Sequence, residues 1–171
     1  MKKYELTAEF IEQWGKKLFR IKALISFGSV EVGELGGYVE KEDNLAQDGD
    51  AWVCDDAWVC GNARVYGDAE VYGNARVYGN AEVYGNADYL LIGRIGSRFS
   101  FTTFFKNKDK GITVSCGCFL GTIAEFRAKV TDTHGNNKHA KIYNLAADMA
   151  ELQILGEEHF NKLNTNKSEP F

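Results

Sequence analysis

The chain has 171 residues, of which 44% are hydrophobic and 13% aromatic, and this composition excludes a disordered protein. Its formal net charge of −4 excludes general nucleic-acid binding, which needs a basic surface. The sequence contains no apolar run of about 20 residues, so we expect no membrane-spanning helix. It shows no signal peptide, and its cysteines suggest free thiols, so we expect a cytoplasmic protein.

Residues 1–36 are predicted to form an N-terminal β cap. Thr7 stands either at the start of a short helix that ends near Gly15 or within a strand, and both readings stay open. The alternation of apolar and basic residues from Leu18 to Leu24 predicts a half-buried strand. We expect a cap here because an array of repeats exposes unpaired strand edges at its ends.

A six-residue repeat fills the middle of the chain. The unit is Asn/Asp, Ala, any residue, Val, Tyr/Cys, Gly, and it recurs without insertion from Asp50 to Asp88. The glycine phase extends back to Gly37. By analogy with hexapeptide repeats, residues 37–88 are predicted to form a short left-handed parallel β-helix of about three coils, with about 18 residues per coil. The predicted fold class is therefore mainly β, and position 64 should lie beside position 82.

The aromatic residues of the repeat are predicted to face outward. So large an aromatic surface usually marks a contact site, and we expect it to form the interface of a homotrimer. The alternative is that the repeats serve only as a scaffold. The candidate interface residues are Trp52, Trp58, Tyr66, Tyr72, Tyr78 and Tyr84.

The period ends at Tyr89, and residues 89–160 are predicted to form a small α+β domain. Thr122 and Glu125 match a helix capping box. Residues 161–171 are polar and are expected to be a flexible tail. The predicted elements of this domain are strands at 89–98, 99–105 and 112–116 and helices at 123–133 and about 138–155.

Candidate catalytic residues are few, and we expect no catalytic site, metal or cofactor. Hexapeptide acyltransferases use a histidine base, but the three histidines lie at 134, 139 and 159, outside the repeats. An acyltransferase-like enzyme remains an alternative. Two further arrangements are a Ser115–Asp132–His134 triad and a Cys118–His134 pair. Cys116 and Cys118 are too close for a zinc knuckle.

The segment Gly93–Arg98 carries the strongest signal for a ligand. Its glycines let backbone N–H groups approach an anion, and its serine and arginines add donors and charge. The start of the following helix could add free N–H groups. We expect an anionic or nucleotide ligand here, the alternative being a solvated hairpin. The candidate ligand-binding residues are Arg94, Gly96, Ser97, Arg98, Thr122 and His134.

The sequence resembles a group of proteins common in phages and prophages of Firmicutes-type bacteria. The resemblance is carried by the repeats, by the run Leu35–Leu45 before them, and by the segments Cys116–Phe126 and Thr133–Asn137 after them. The resemblance spans nearly the whole chain. It implies a left-handed β-helix and a non-catalytic binding protein in the bacterial host cytosol. Such a protein would act as a counter-defence factor that sequesters a host protein or a nucleotide signal. A structural phage module is an alternative.

Overall fold

A computed structural model describes residues 1–165. The chain divides into two compact units, Met1–Asn86 and a second unit that begins at Ala87. The predicted cap and the repeats therefore belong to one unit. Within the described residues, the helices are too short or too polar to cross a membrane.

Unit 1 begins with an antiparallel hairpin. Strand β1 (Tyr4–Gln13) pairs with β2 (Lys16–Ala23), and β2 pairs with β3 (Leu35–Val39). Of the two readings left open at Thr7, the strand is the observed one. The turn is made by Trp14 and Gly15, both with positive φ. Glycine adopts this conformation without a steric cost.

Each repeat in unit 1 contributes one two-residue strand. Its alanine and valine are buried, because alternate residues of a strand point to the same side. Trp58 lies beside Arg76, and Arg64 lies beside Glu82, as the spacing of 18 predicts. The six strands are β4 (Trp52–Val53), β5 (Trp58–Val59), β6 (Arg64–Val65), β7 (Glu70–Val71), β8 (Arg76–Val77) and β9 (Glu82–Val83).

The predicted fold class, a mainly β chain built on a left-handed parallel β-helix, is wrong. The chain is mixed α/β, and its strands form several separate small sheets. Strand β4 pairs with β7, and β6 pairs with β9 and forms a bridge from Val65 to Leu45, while β5 and β8 extend the sheet of β1, β2 and β3. Each repeat strand pairs with the strand three repeats away, so the six repeat strands are divided two by two among three sheets.

Unit 2 is a four-stranded antiparallel sheet followed by three helices. The core lies between the sheet and the helices and includes Phe104, Val114, Phe126 and Ala147. The elements are β10 (Tyr89–Ile95), β11 (Ser100–Lys106), β12 (Ile112–Cys116), β13 (Phe119–Thr122), α1 (Ile123–His134), α2 (Lys138–Leu155) and α3 (Glu157–Thr165).

Local capping explains where these helices begin. The Thr122 hydroxyl accepts a hydrogen bond from the N–H of Glu125, and the Glu125 carboxylate accepts one from the N–H of Thr122. The Asn137 side chain accepts hydrogen bonds from the first N–H groups of α2. Residues 161–165, expected to be flexible, belong to α3, and the rest of the expected tail, 166–171, lies outside the described residues.

Candidate ligand-binding site

Unit 2 contains a cavity of about 230 Å³. Its walls are the turn between β10 and β11, the turn between β12 and β13, one face of α1, and Tyr143 of α2. The α1 residues Phe126, Lys129, Val130 and Thr133 line it together, because residues three and four positions apart share one face of a helix.

The inner wall of the cavity is aromatic. The ring centroid of Phe126 lies 5.7 Å from that of Tyr143 and 5.6 Å from that of Phe119. His134, the last residue of α1, stacks on Tyr143 with centroids 5.8 Å apart and an interplanar angle of 26°. Flat rings at such distances form a surface on which a planar or apolar group can pack.

Gly96 lets the turn after β10 lie directly on Tyr143. Gly96 has φ +73°, and a Cβ atom there would overlap the Tyr143 hydroxyl. The hydroxyl group of Tyr143 therefore lies against the backbone at position 96, with Cys116 and Arg98 close enough to influence its ionisation. Burial, followed by the influence of Cys116, raises the pKa of Tyr143, against the opposing influence of Arg98. Tyr143 is therefore a neutral hydroxyl at physiological pH.

Three nitrogen-bearing side chains border the cavity: Arg98, Lys129 and His134. Among the described residues, no carboxylate lines it. The nearest acid along α1, Asp132, pairs with Lys129 at 3.1 Å, and both side chains are well exposed. An exposed pair of this kind is weak, so Lys129 can turn towards a ligand at little cost. The arrangement attracts anions.

Two thiols also border the cavity. Cys116 ends β12 and receives a hydrogen bond from the Thr102 hydroxyl at 3.3 Å. Cys118, in the turn that follows, is exposed. Hydroxyl groups of Ser97, Ser100 and Thr133 complete the polar lining.

The structure brings together three of the six predicted ligand-binding residues. Ser97, Arg98 and His134 line the cavity. Arg94 is exposed and lies outside the lining, and Gly96 lies under Tyr143 rather than facing the cavity.

Thr122 does not provide the anion-binding helix start that the sequence suggested. Its N–H and its hydroxyl both donate to the Glu125 carboxylate, at 2.8 and 2.9 Å. These hydrogen bonds lower the pKa of Glu125. The carboxylate already occupies the place that an anionic ligand would need, and it would repel one.

The structure does not support the hydrogen bonds that either catalytic arrangement suggested by the sequence would need. Ser115 is buried, Asp132 pairs with Lys129, and within residues 1–165 neither is hydrogen-bonded to His134. Cys118 and His134 line the same cavity but form no hydrogen bond with each other in that part of the chain.

The predicted outward aromatic face is wrong for three of its six residues. Trp52 is buried with its ring beside Phe27 at 5.4 Å, and Trp58 and Tyr78 are buried beneath Trp14 of the hairpin turn. Tyr72 and Tyr84 are exposed, and Tyr66 packs on Tyr84 with centroids 4.8 Å apart. The homotrimer stays a prediction that now depends on the latter three.

Sequence reasoning missed Lys129 and treated Phe126 and Tyr143 only as core residues. A signal for the α1 residues was present, since positions 126, 129, 130 and 133 share one helical face that ends beside His134. No comparable signal exists for Tyr143, which reaches the cavity through the packing of α2. The described residues contain no cluster of three or more side chains suited to a metal ion.

Comparison of the sequence with protein-family models and with curated proteins finds no match.

Proposed function

We propose that the chain is a non-catalytic binding protein whose second unit holds a small anionic ligand in the cavity beside α1. One observation carries this proposal: Arg98, Lys129 and His134 border a cavity with an aromatic wall, and no carboxylate of residues 1–165 lines it. Cationic side chains with fixed aromatic surfaces are a common combination for ligands that have a charged group and a planar or apolar part.

The size of the cavity limits the ligand. A volume of about 230 Å³ is below the range of about 300–1,000 Å³ that is usual for drug-sized ligands. The ligand is therefore of about mononucleotide size or smaller, or lies partly in solvent. A nucleoside monophosphate meets both chemical requirements, with its base against Phe119 or His134 and its phosphate at Arg98.

The wider role follows from the resemblance to phage proteins. A ligand-binding protein of this kind acts in the host cytosol by sequestering a host-derived anionic signal or a host protein, as a counter-defence factor.

Isothermal titration calorimetry tests the binding proposal. The probes are adenosine monophosphate, adenosine and inorganic phosphate, and the monophosphate should bind most tightly because it alone uses both the aromatic wall and the basic border. Arg98→Ala should weaken its binding about tenfold, which corresponds to one charge-assisted hydrogen-bond pair.

Arg94→Ala is the matched control, since Arg94 has the same charge four residues earlier and lies outside the cavity lining. Equal losses of affinity in the two variants would indicate that the ligand binds at the exposed turn rather than in the cavity. Absence of heat with all three probes, and with other nucleoside monophosphates, would refute the proposal.

A further inference from the structure

Helix α2 has a second apolar face that the described part of its unit leaves uncovered. The exposed fractions of its four large apolar residues are 38% for Ile142, 63% for Leu145, 56% for Met149 and 45% for Leu152. We call these four residues the α2 stripe.

The stripe lies almost opposite the face that packs in the core. The core face includes Tyr143, Ala147, Ala150 and Ile154. At 3.6 residues per turn, the centres of the two faces are roughly 150° apart around the helix. A surface helix of a globular protein usually has one apolar face and one polar face. The α2 stripe is therefore not explained by the folding of unit 2.

The spacing of the stripe is that of a helix pair. Its residues follow one another at intervals of three, four and three, the pattern by which one helix packs along another in a coiled coil. The stripe spans about 15 Å of helix at a rise of 1.5 Å per residue. Such a narrow, straight row is shaped for another helix, and α2 itself offers a complementary one.

Unpaired charges at the two ends of the stripe indicate which helix fits. Lys138 continues the row one turn before Ile142, and Lys141 lies beside it, with no acidic residue in the first turn of α2. Glu157 and Glu158 follow the other end of the helix. Within the described part of the chain, none of these four side chains forms an ion pair.

An antiparallel second copy of α2 would cover the apolar stripe and bring opposite charges together at its ends. When two copies are centred on position 147, Ile142 of one lies opposite Leu152 of the other, and Leu145 lies opposite Met149. In the same register, Lys138 of one copy faces the C-terminal end of α2 of the other, which ends at Leu155 and is followed by Gly156 and Glu157; a lysine is favourable at that negative end of a helix. A parallel pair would instead place Lys138 against Lys138. A lysine in the first turn is unfavourable for its own helix, and the glutamate of the second copy would offset that cost.

We propose that the chain forms an antiparallel homodimer through the α2 stripe, and that this dimer replaces the homotrimer predicted from the aromatic residues of the repeats. The contact is isologous, so both copies bury the same surface. The exposed parts of four side chains amount to less than the 800 Å² or so per partner that is typical of stable complexes. The dimer is therefore reversible, with a Kd between roughly 1 µM and 1 mM. It is independent of ligand binding in the cavity.

Sedimentation equilibrium of the full chain, from about 1 to 500 µM, tests the dimer. The expected result is a monomer–dimer equilibrium that is abolished by Leu145→Glu with Met149→Glu. Leu120→Glu is the control for Leu145→Glu alone, because it introduces one glutamate at an exposed apolar residue of unit 2 outside α2. Circular dichroism verifies folding, and Ile142→Ser serves as a milder second variant.

Three outcomes would overturn the proposal: a monomer throughout that range, a dimer or trimer that persists in the stripe variants, or a dimer lost equally in the Leu120→Glu control. If the chain is a monomer that binds a different protein through the stripe, the homodimer proposal is also overturned.

Charge reversal tests the orientation. Lys138→Glu and Glu157→Lys should each weaken the dimer by roughly tenfold, because two-fold symmetry places two such exposed ion pairs in the contact, and the double variant should recover it. A double variant weaker than either single variant would rule out the antiparallel arrangement.

Discussion

Gly96 lies so close to Tyr143 that a Cβ atom at position 96 would overlap the tyrosine hydroxyl. This contact joins the turn that carries Ser97 and Arg98 to helix α2. It sets the position of the cationic side of the cavity. The turn can lie directly on Tyr143 because glycine has no side chain at position 96.

Gly96→Ala should destabilise unit 2 and displace Arg98 from the cavity. The new methyl group would overlap Tyr143, and alanine disfavours the observed φ of +73°. We expect a loss of about 1–3 kcal/mol in the free energy of unfolding, measured by urea denaturation. Gly111→Ala is the control, since φ there is not in the left-handed region and its nearest neighbour is 3.6 Å away. Equal stability of the two variants would mean that the turn is not held against Tyr143.

Arg127 joins α1 to α2 through a partly buried ion network. Its guanidinium donates to Asp148 and to Glu151, both at 2.7 Å, and the Glu151 side chain is only 8% exposed. Arg127→Met would leave that carboxylate buried without a partner, so we expect a loss of about 3 kcal/mol in unfolding free energy. Lys129→Met, which removes an exposed pair, should cost less than about 1 kcal/mol. Similar losses would show that burial does not strengthen the Arg127 network.

Lys3 should make the free energy of unfolding depend on pH in the alkaline range. Its ammonium group is buried and donates to the carbonyl of Ala51 at 2.8 Å. Burial lowers the pKa of Lys3 to about 8 from 10.5, although Asp48 and Asp50 oppose the shift. Between these two values the unfolded chain binds more protons than the folded chain, so the contribution of Lys3 to stability rises with pH across that window.

The measurement compares the native chain with Lys3→Met at about pH 7 and about pH 9.5 by urea denaturation. The native chain should gain on the order of 1 kcal/mol relative to the variant over this interval. Burial also raises the pKa of Cys54 and Cys60 to about 11 from 9, which lowers stability above pH 9. That effect is present in both proteins and cancels in the difference. A constant difference would show that Lys3 titrates normally.

The four cysteines should react at very different rates. Cys118 is exposed, whereas Cys60 is buried and Cys54 partly so. Because the thiolate is the reactive form, a pKa of about 11 instead of 9 reduces the reactive fraction about 100-fold. Mass spectrometry after brief treatment with an aromatic disulfide at pH 8 should find Cys118 labelled first. Adenosine monophosphate should slow this labelling. Uniform labelling of all four thiols would contradict the burial, and labelling of Cys118 unchanged by adenosine monophosphate would contradict the site.

Much of the local structure is predictable from short-range patterns. The Thr122–Glu125 pair sets the start of α1, and the observed helix ends one residue beyond the predicted 133. The spacing of 18 also places Arg64 beside Glu82, as the repeat implies. These features can be predicted from the sequence because the interacting residues recur at fixed separations or lie within a few positions of each other.

The sequence by itself determined the period of the repeats and the ends of α1 and α2. Only the tertiary structure decided that the strands form separate small sheets, that Trp14 covers Trp58 and Tyr78, and that Arg98 and Lys129 border one cavity. The reason is physical. Capping and periodicity act along the chain, whereas burial depends on which distant segment packs over a residue, and that contact leaves no regular spacing in the sequence.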